Sequence, residues 1–407
     1  SRPFAVWMHP TAGPIDAAPA TDARALVGKN ETLVSLYTRE PEAVVAQATR
    51  LAADAFSPSP ARPVAGDVGE LAMTALLAAE DPTYGGWGMQ KHGMTPTLSW
   101  LVDRHVGGAV DAVEPLVRTL HAQRLGALRD HLGGGIFHQT RDASWTTADL
   151  DKRLEDNASM VRLYADWSLT SGDSAFHALT REALGWMMTQ LSHRDGGFVA
   201  GSVAYRSYYQ WRPEHLTNLL PGPDAKRLSA RYHLEDEGSV PYLSSPLPEV
   251  LGAARRSLVQ ARQLREPPAI DDRRPLGGNG LMISALCRSS VALQEPMLLV
   301  KAVALATLLA ESPRVHHLDD PEPAIAADLA WLGHGFLDVY LHTLDDQWIA
   351  RAAEVGGDLA KSMAKGHVLY SSPVRDVTRW ADVGPVANGI GSSLHFLKRL
   401  EGYVPLD

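Results

Sequence analysis

The residues best suited to chemistry are carboxylates and tryptophans that recur on single helix faces. Over 149–170, Leu150, Leu154, Asn157, Val161 and Tyr164 repeat at spacings of 4, 3, 4 and 3 and make one mostly apolar face. Asp149, Arg153 and Asp156 fall on another. Over 323–343, Ile325, Leu329, Leu332 and Phe336 form the apolar face, while Asp328, Trp331, Gly335 and Asp338 share a different one. Set around one space, such faces make a small-molecule pocket: Trp rings stack on sugars, and carboxylates bind hydroxyls or move protons. The same faces also read as solvated surface with ion pairs such as Asp149–Arg153. Asn157 lies on an apolar face, so burial would oblige it to find partners, either in the protein or in a ligand. Asn279 precedes an apolar run, which fits an N-cap or a ligand contact.

Other candidates are weaker. His316-His317 with Asp319 and Asp320 lacks the spacing of a tetrahedral site, so no metal is expected. Gly133 to Gly135 is not followed by Gly-Lys-Ser/Thr and reads as a tight turn rather than a phosphate loop. His131, His138, His334 and His395 read as polar fillers, and no cofactor is expected. Cys287 is the single cysteine, so the chain cannot run dithiol chemistry alone. Cysteine scarcity fits a cytoplasmic location, and Ser1 to Pro10 shows no charged region leading into an apolar stretch. The net charge of −9 argues against nucleic acid or an anionic membrane as partner. The longest apolar stretch, Pro296 to Ala310, is interrupted by Lys301 and is too short to span a bilayer.

These residues need a scaffold, and the 407-residue chain, 45% hydrophobic, is long enough to build one. From Pro41 onward helical periodicity dominates, with helices expected near 41–56, 65–80, 95–105, 110–128, 149–170, 174–192, 247–265, 279–292, 295–311, 323–343, 346–361 and 385–400. They pair across Gly- and aromatic-rich loops such as Tyr84 to Gly88 and Asp195 to Phe198. Twelve helices in pairs close into an all-α (α/α)6 toroid; an open superhelix of hairpins is the alternative, and no strict sequence period is visible. Residues 199–245, with Tyr205, Tyr208, Tyr209 and Trp211, read as an irregular excursion with short strands. The chain thus divides into residues 1–40, with β-rich Arg2 to Met8, and a toroid over 41–407.

Several stretches resemble the spermatogenesis-associated, thioredoxin-like family, in which a thioredoxin-like domain precedes a six-hairpin toroid similar to N-acylglucosamine epimerase. The family loop Tyr-Gly-Gly-Phe-Gly with a following Pro-Lys-Phe is similar to Tyr84-Gly-Gly-Trp-Gly88 and Lys91. The run Gly-Gly-Gly-Phe, then Trp, then Pro-His-Phe-Glu-Lys-Met-Leu-Tyr-Asp-Asn-Ala resembles Gly133 to Ala158, matching at Trp145, Lys152, Leu154, Asp156, Asn157 and Ala158. Asp-Asp-Lys and Trp-Asn-Gly-Leu-Met-Ile resemble Asp271-Asp272-Arg273 and Asn279 to Ile283, and Asp-Tyr-Ala-Phe-Leu resembles Asp328 to Leu332. Arg2 to Pro10 resembles the last strands of the thioredoxin-like domain.

The departures are specific. The Cys-x-x-Cys half is missing, the family His and Glu become Asp149 and Asp151, and the acidic run after Gly-Gly-Phe becomes Val199 to Tyr205. The Trp before Asn-Gly-Leu is Gly278, and Asp-Gly-Ala-Thr-Pro-Ser-Gly-Asn becomes Ala381 to Asn388. The resemblance implies a truncated thioredoxin-like remnant ahead of a toroid whose funnel takes a polyhydroxylated small molecule, for isomerisation, epimerisation or bond cleavage. In it Asp156 and Asp328 are the expected proton-transfer groups. Lys91, Asp149, Asn157, Asn279 and Asn388 are the expected ligand contacts, with Trp87, Trp145, Trp211 and Trp331 as walls. A separate thioredoxin-like fragment is a further expected partner. The lost dithiol and carboxylates leave a second reading open, a catalytically degenerate binding or scaffold protein.

Overall fold

The computed structural model describes residues 4–9, 13–19, 23–56, 66–311, 324–365, 368–369 and 389–404. The chain opens with an antiparallel hairpin, β1 (Phe4–His9) and β2 (Gly13–Pro19), followed by α1 (Ala23–Arg39) and α2 (Pro41–Phe56). The boundary expected at residue 40 falls between these two helices, and α2 packs on α1 and on both strands.

Paired helices follow. They are α3 (Val68–Ala79) and, after β3 (Lys91–His92), α4 (Thr95–Val106); then α5 (Val113–Leu125), separated by β4 (Gln139–Thr140), β5 (Ala148–Asp149) and β6 (Lys152–Arg153) from α6 (Leu154–Ser171). Next come α7 (Ser174–Gln190) and β7 (Gly201–Ser202). The stretch expected to be irregular with short strands holds β7 and the bridge Trp211–Ser239, and it also carries three short helices, α8 (Arg206–Tyr209), α9 (Pro213–Leu219) and α10 (Gly222–Arg231); α11 (Gly252–Gln263) follows. These are helices too short to show a 3.6-residue period in a Tyr- and Pro-rich sequence. The chain returns through β8 (Ile270–Asp271) to α12 (Leu276–Ala292), α13 (Pro296–Glu311), α14 (Ala326–Thr343), α15 (Asp346–Met363), the β9 (Ala364–Lys365)–β10 (Val368–Leu369) pair and α16 (Gly389–Glu401).

Local chemistry sets several starts. The side chains of Asp67, Asp173 and Asp345 accept hydrogen bonds from the first backbone N–H groups of α3, α7 and α15. Gly172, in the left-handed region, ends α6.

The helices α4, α6, α12, α14 and α16 pack in series, each on the next, while α7, α13 and α15 lie against them. The closest approach needs glycine: a Cβ on Gly280 of α12 would fall 2.6 Å from the backbone nitrogen of Leu332 in α14. The main core runs through α6, α7 and α12–α16, a second joins α3–α7, and a third lies under α9–α11. The architecture is an (α/α)6 toroid, with the short sheets β3–β4–β5 and β6–β7–β8 beside the start of α6. Among the described residues no helix is long and apolar enough to cross a membrane.

Candidate active site

A cavity of about 500 Å3 opens where α6 and α12 begin. Its floor is the sheet β6–β7–β8, in which Gly201 pairs with both Arg153 and Asp271. Only glycine fits there, because a Cβ would stand 2.3 Å from the Lys152 carbonyl. The walls carry Asp151, Arg153, Glu155, Asp271, Arg273 and Arg274. Neither helix start is capped by its N-cap side chain, and the first N–H of α6 is taken instead by the Ala200 carbonyl at 2.8 Å.

Glu155 is the chemically distinctive group of this wall. It is half-buried in the first turn of α6. Burial pushes its carboxyl up to about 7, helped by the like charges of Asp156 and Asp328 and opposed by a hydrogen bond from its own backbone N–H and, more weakly, by Arg153. The residue escaped the sequence reading because the family run places Tyr at its position, which draws attention to Asp156 instead.

Asp156 faces the other way, toward a pocket of only about 20 Å3, room for one water. Its carboxylate meets Nδ1 of His138 at 2.8 Å. The rings of His138 and His92 meet edge-on with centroids 5.6 Å apart, and the buried Nδ1 of His92 has no protein partner. Burial, then the His138 charge, lowers the His92 pKa, so that ring is neutral at neutral pH.

Asp328 is buried in the first turn of α14, where its carboxylate accepts from the Ile325 backbone N–H at 3.0 Å. Asp328 and the expected partner Asp156 both act on Glu155 through their charge.

The expected ligand contacts are mostly spent on the protein. Asn157 is fully buried: its Oδ1 accepts from Ile136 N at 2.7 Å, and its Nδ2 donates to the carbonyls of Ile136 and Arg153. Asn279 repeats the arrangement, accepting from Phe198 N at 2.8 Å and donating to the carbonyls of Phe198 and Pro275. Both are fully buried, with both donors and the amide oxygen engaged by the backbone. Lys91 is fully buried on Asp81 at 2.9 Å, and Asp149 is held by Gln139 and Arg141. Trp87 donates to Leu76 O, Trp145 to Tyr84 O and Trp331 to Ser392 Oγ. Trp211 borders a separate cavity of about 500 Å3, but the Arg265 guanidinium lies 3.9 Å from its ring centroid, so that face is not a free wall for a sugar. None of these residues borders the cavity at Glu155. Asn388 and the His316–Asp320 cluster lie outside the described residues. Among the described residues no cluster of three or more His, Cys, Asp or Glu side chains is placed to hold a metal.

Beneath the site lies a buried ion cluster. Asp130 takes Lys152 at 2.7 Å and Arg262 of α11 at 2.8 Å. Burial alone would raise the Asp130 pKa, but Arg262 and then Lys152 hold it far below the usual carboxylate range. Burial brings Lys152 down to about 8, against the pull of Asp130.

Spermatogenesis-associated protein 20 of Homo sapiens is 23% identical to this chain over 98% of its length and 63% of the human protein. The chain is a divergent relative of the spermatogenesis-associated, thioredoxin-like proteins. The Mus musculus protein of the same name is 24% identical over 66% of this chain and 43% of its own length. The chain thus spans less than two thirds of these relatives. No family model matches. Among solved structures, a D-mannose isomerase superposes with a TM-score of 0.50 at 13% identity, covering 77% of each chain. That likeness supports the toroid fold.

Proposed function

We propose that the cavity at the starts of α6 and α12 binds a polyhydroxylated small molecule and that Glu155 transfers a proton on it. The observation that carries this is the position of Glu155: a half-buried carboxyl on the cavity wall, poised near neutrality. Such a group can give or take a proton at physiological pH. In an isomerisation it takes the proton from the hydroxyl-bearing carbon beside a carbonyl and returns it to the carbonyl carbon, while the hydroxyl proton passes to the former carbonyl oxygen. Asp156 and Asp328, expected from sequence to be the proton-transfer pair, then act on Glu155 through their charge, as tuning residues. The fold shared with D-mannose isomerase supports a carbohydrate-type substrate.

The test is proton exchange in D2O followed by NMR. Neutral and acidic aldoses are incubated with the chain and with Glu155→Gln. Deuterium entering beside the carbonyl, and lost in Glu155→Gln, is the expected result. Absence of exchange across the panel, with binding retained, would favour the binding-protein reading. That reading has its own support, in the engagement of Lys91, Asn157 and Asn279 by the scaffold.

A further inference from the structure

Resting on that reading of the same cavity, we infer that its ligand is an acidic sugar, bearing a carboxylate or a phosphate that Arg153 and Arg273 receive. The wall carries Arg153, Arg273 and Arg274 against Asp151 and Asp271, with Glu155 the one further acidic group. Lys152 does not enter this count, because its ammonium is turned to Asp130 and to the Gly134 carbonyl at 2.6 Å. While Glu155 holds its proton, three arginines face two aspartates, and this one net positive charge runs against the −9 charge of the chain; a ligand that offers only hydroxyls gives it no use.

The arginines differ in what they already hold. Arg153 is half exposed and reaches Asp151 only at 3.9 Å, a loose contact, since the Asp151 carboxylate also accepts from Ala204 N at 2.8 Å. Arg273 is 65% exposed and sits on Asp271, two residues away. Arg274 is more constrained, donating to Gly196 O at 3.2 Å. Arginine suits the role because its planar fork matches carboxylate and phosphate oxygens in pairs. The starts of α6 and α12, both at this wall, add the positive ends of two helix dipoles.

The geometry couples anion binding to Glu155. Facing that carboxyl are Asp156 of its own helix, Asp328 of α14, Arg153 before α6 and the Gly278 backbone of α12. A bound anion adds a further negative charge, so it binds best while Glu155 holds its proton. Affinity therefore falls as pH rises through neutrality, and Glu155→Gln flattens that dependence.

The experiment is isothermal titration of the chain at pH 6 and pH 8 with D-glucuronate, D-glucose 6-phosphate, D-glucose and inorganic phosphate. At least one acidic sugar is expected to bind roughly tenfold or more tighter than D-glucose at pH 6, and more weakly at pH 8. Glucuronate against the sugar phosphate identifies the acidic group. Arg153→Gln and Arg273→Gln, both at exposed positions, should each erase most of the preference while leaving thermal melting unchanged. Equal binding of D-glucose and the acids, unaffected by either variant, would overturn the acidic-sugar inference while sparing the proposed function. Inorganic phosphate binding as tightly as the sugar phosphate would also overturn it. Proton exchange on neutral aldoses alone would do the same, whereas absence of exchange on every aldose counts against the proposed function itself.

Discussion

Glu155 gives the proposed chemistry a measurable cost in stability. Its folded pKa, about 7, lies above the ordinary Glu value, so the folded state holds the proton more tightly than the unfolded one. Below about pH 4.3 both states are protonated and the group is neutral in its effect. As pH climbs through 7 the folded state must ionise a half-buried carboxyl, and stability is lost. Glu155→Gln should therefore melt with the wild type near pH 4.3 and well above it at pH 8, by up to roughly 3 kcal/mol. Equal melting at both pH values would show that Glu155 is fully solvated. His131 works in the opposite direction: burial, then the Arg129 charge, brings it down to about 3, so the unfolded state takes up a proton that the folded state refuses. Stability from this residue is lost as pH falls below about 6.5. At this scale the sequence was a partial guide. It singled out Asp156, one residue from Glu155, because helical faces and the family run both pointed there. The wall is set by which way the first turn of α6 enters the cavity, and spacing does not reveal that.

At the scale of elements, one device recurs three times without a sequence period to betray it. Glycine pairs Gly85-Gly86, Gly134-Gly135 and Gly196-Gly197, all at positive φ, close tight turns bounded by the bridges Glu80–Trp87, Arg129–Ile136 and Ser192–Phe198. The turn at Gly133 to Gly135, expected from its composition, is one of these. The second and third are each held by an asparagine in the first turns of the next row helix, Asn157 in α6 and Asn279 in α12. Each amide also reaches the carbonyl four residues before it, Arg153 or Pro275, and so locks the helix start to the turn. Asn157→Ala and Asn279→Ala should each cost about 1–3 kcal/mol, because the buried backbone groups lose their partners. Thermal or urea melting checks this; a loss of ligand binding with no loss of stability would return them to the ligand. The long helices were legible because their apolar faces repeat over 12 or more residues, as in α14, expected over 323–343 and observed at Ala326–Thr343. Two-residue strands have no period, so Asp149 to Arg153, expected to open a helix, instead forms β5, a link and β6. The α8–α10 helices escaped for the same reason of length.

At the scale of the whole molecule, two buried polar clusters link helices, one inside the main core and one between that ring and the α9–α11 unit. Asp338 of α14 takes Arg399 of α16 at 2.7 Å and Arg162 of α6 at 3.5 Å, bracing the row of helices from inside. The Asp130 cluster links the ring to the α9–α11 unit, whose core also takes in Leu132 and packs on Leu125 of α5. Arg262 reaches from α11 between the Tyr208 and Tyr209 rings, at 5.0 and 5.6 Å, to a carboxylate that also holds Lys152 beneath the cavity. Both carboxylates have depressed pKa values: against burial, Arg162 and Arg399 lower Asp338, and Arg262 and Lys152 lower Asp130. Their stabilisation is therefore complete above the ordinary Asp value and lost as pH falls below it. Removing one partner of such a buried group strands the others, at a cost of about 3–5 kcal/mol. Arg262→Ala should thus open the contact between α11 and the ring. Hydrogen exchange should quicken first across α9–α11, while the amides of α12 and α14, remote from Asp130 in the packing order, keep their protection. Arg262→Lys should not restore it, because an ammonium lacks the planar fork that spans Asp130 and stacks against the two tyrosines. Uniform loss of protection in every helix would instead mean that the excursion and the ring unfold as one cooperative unit.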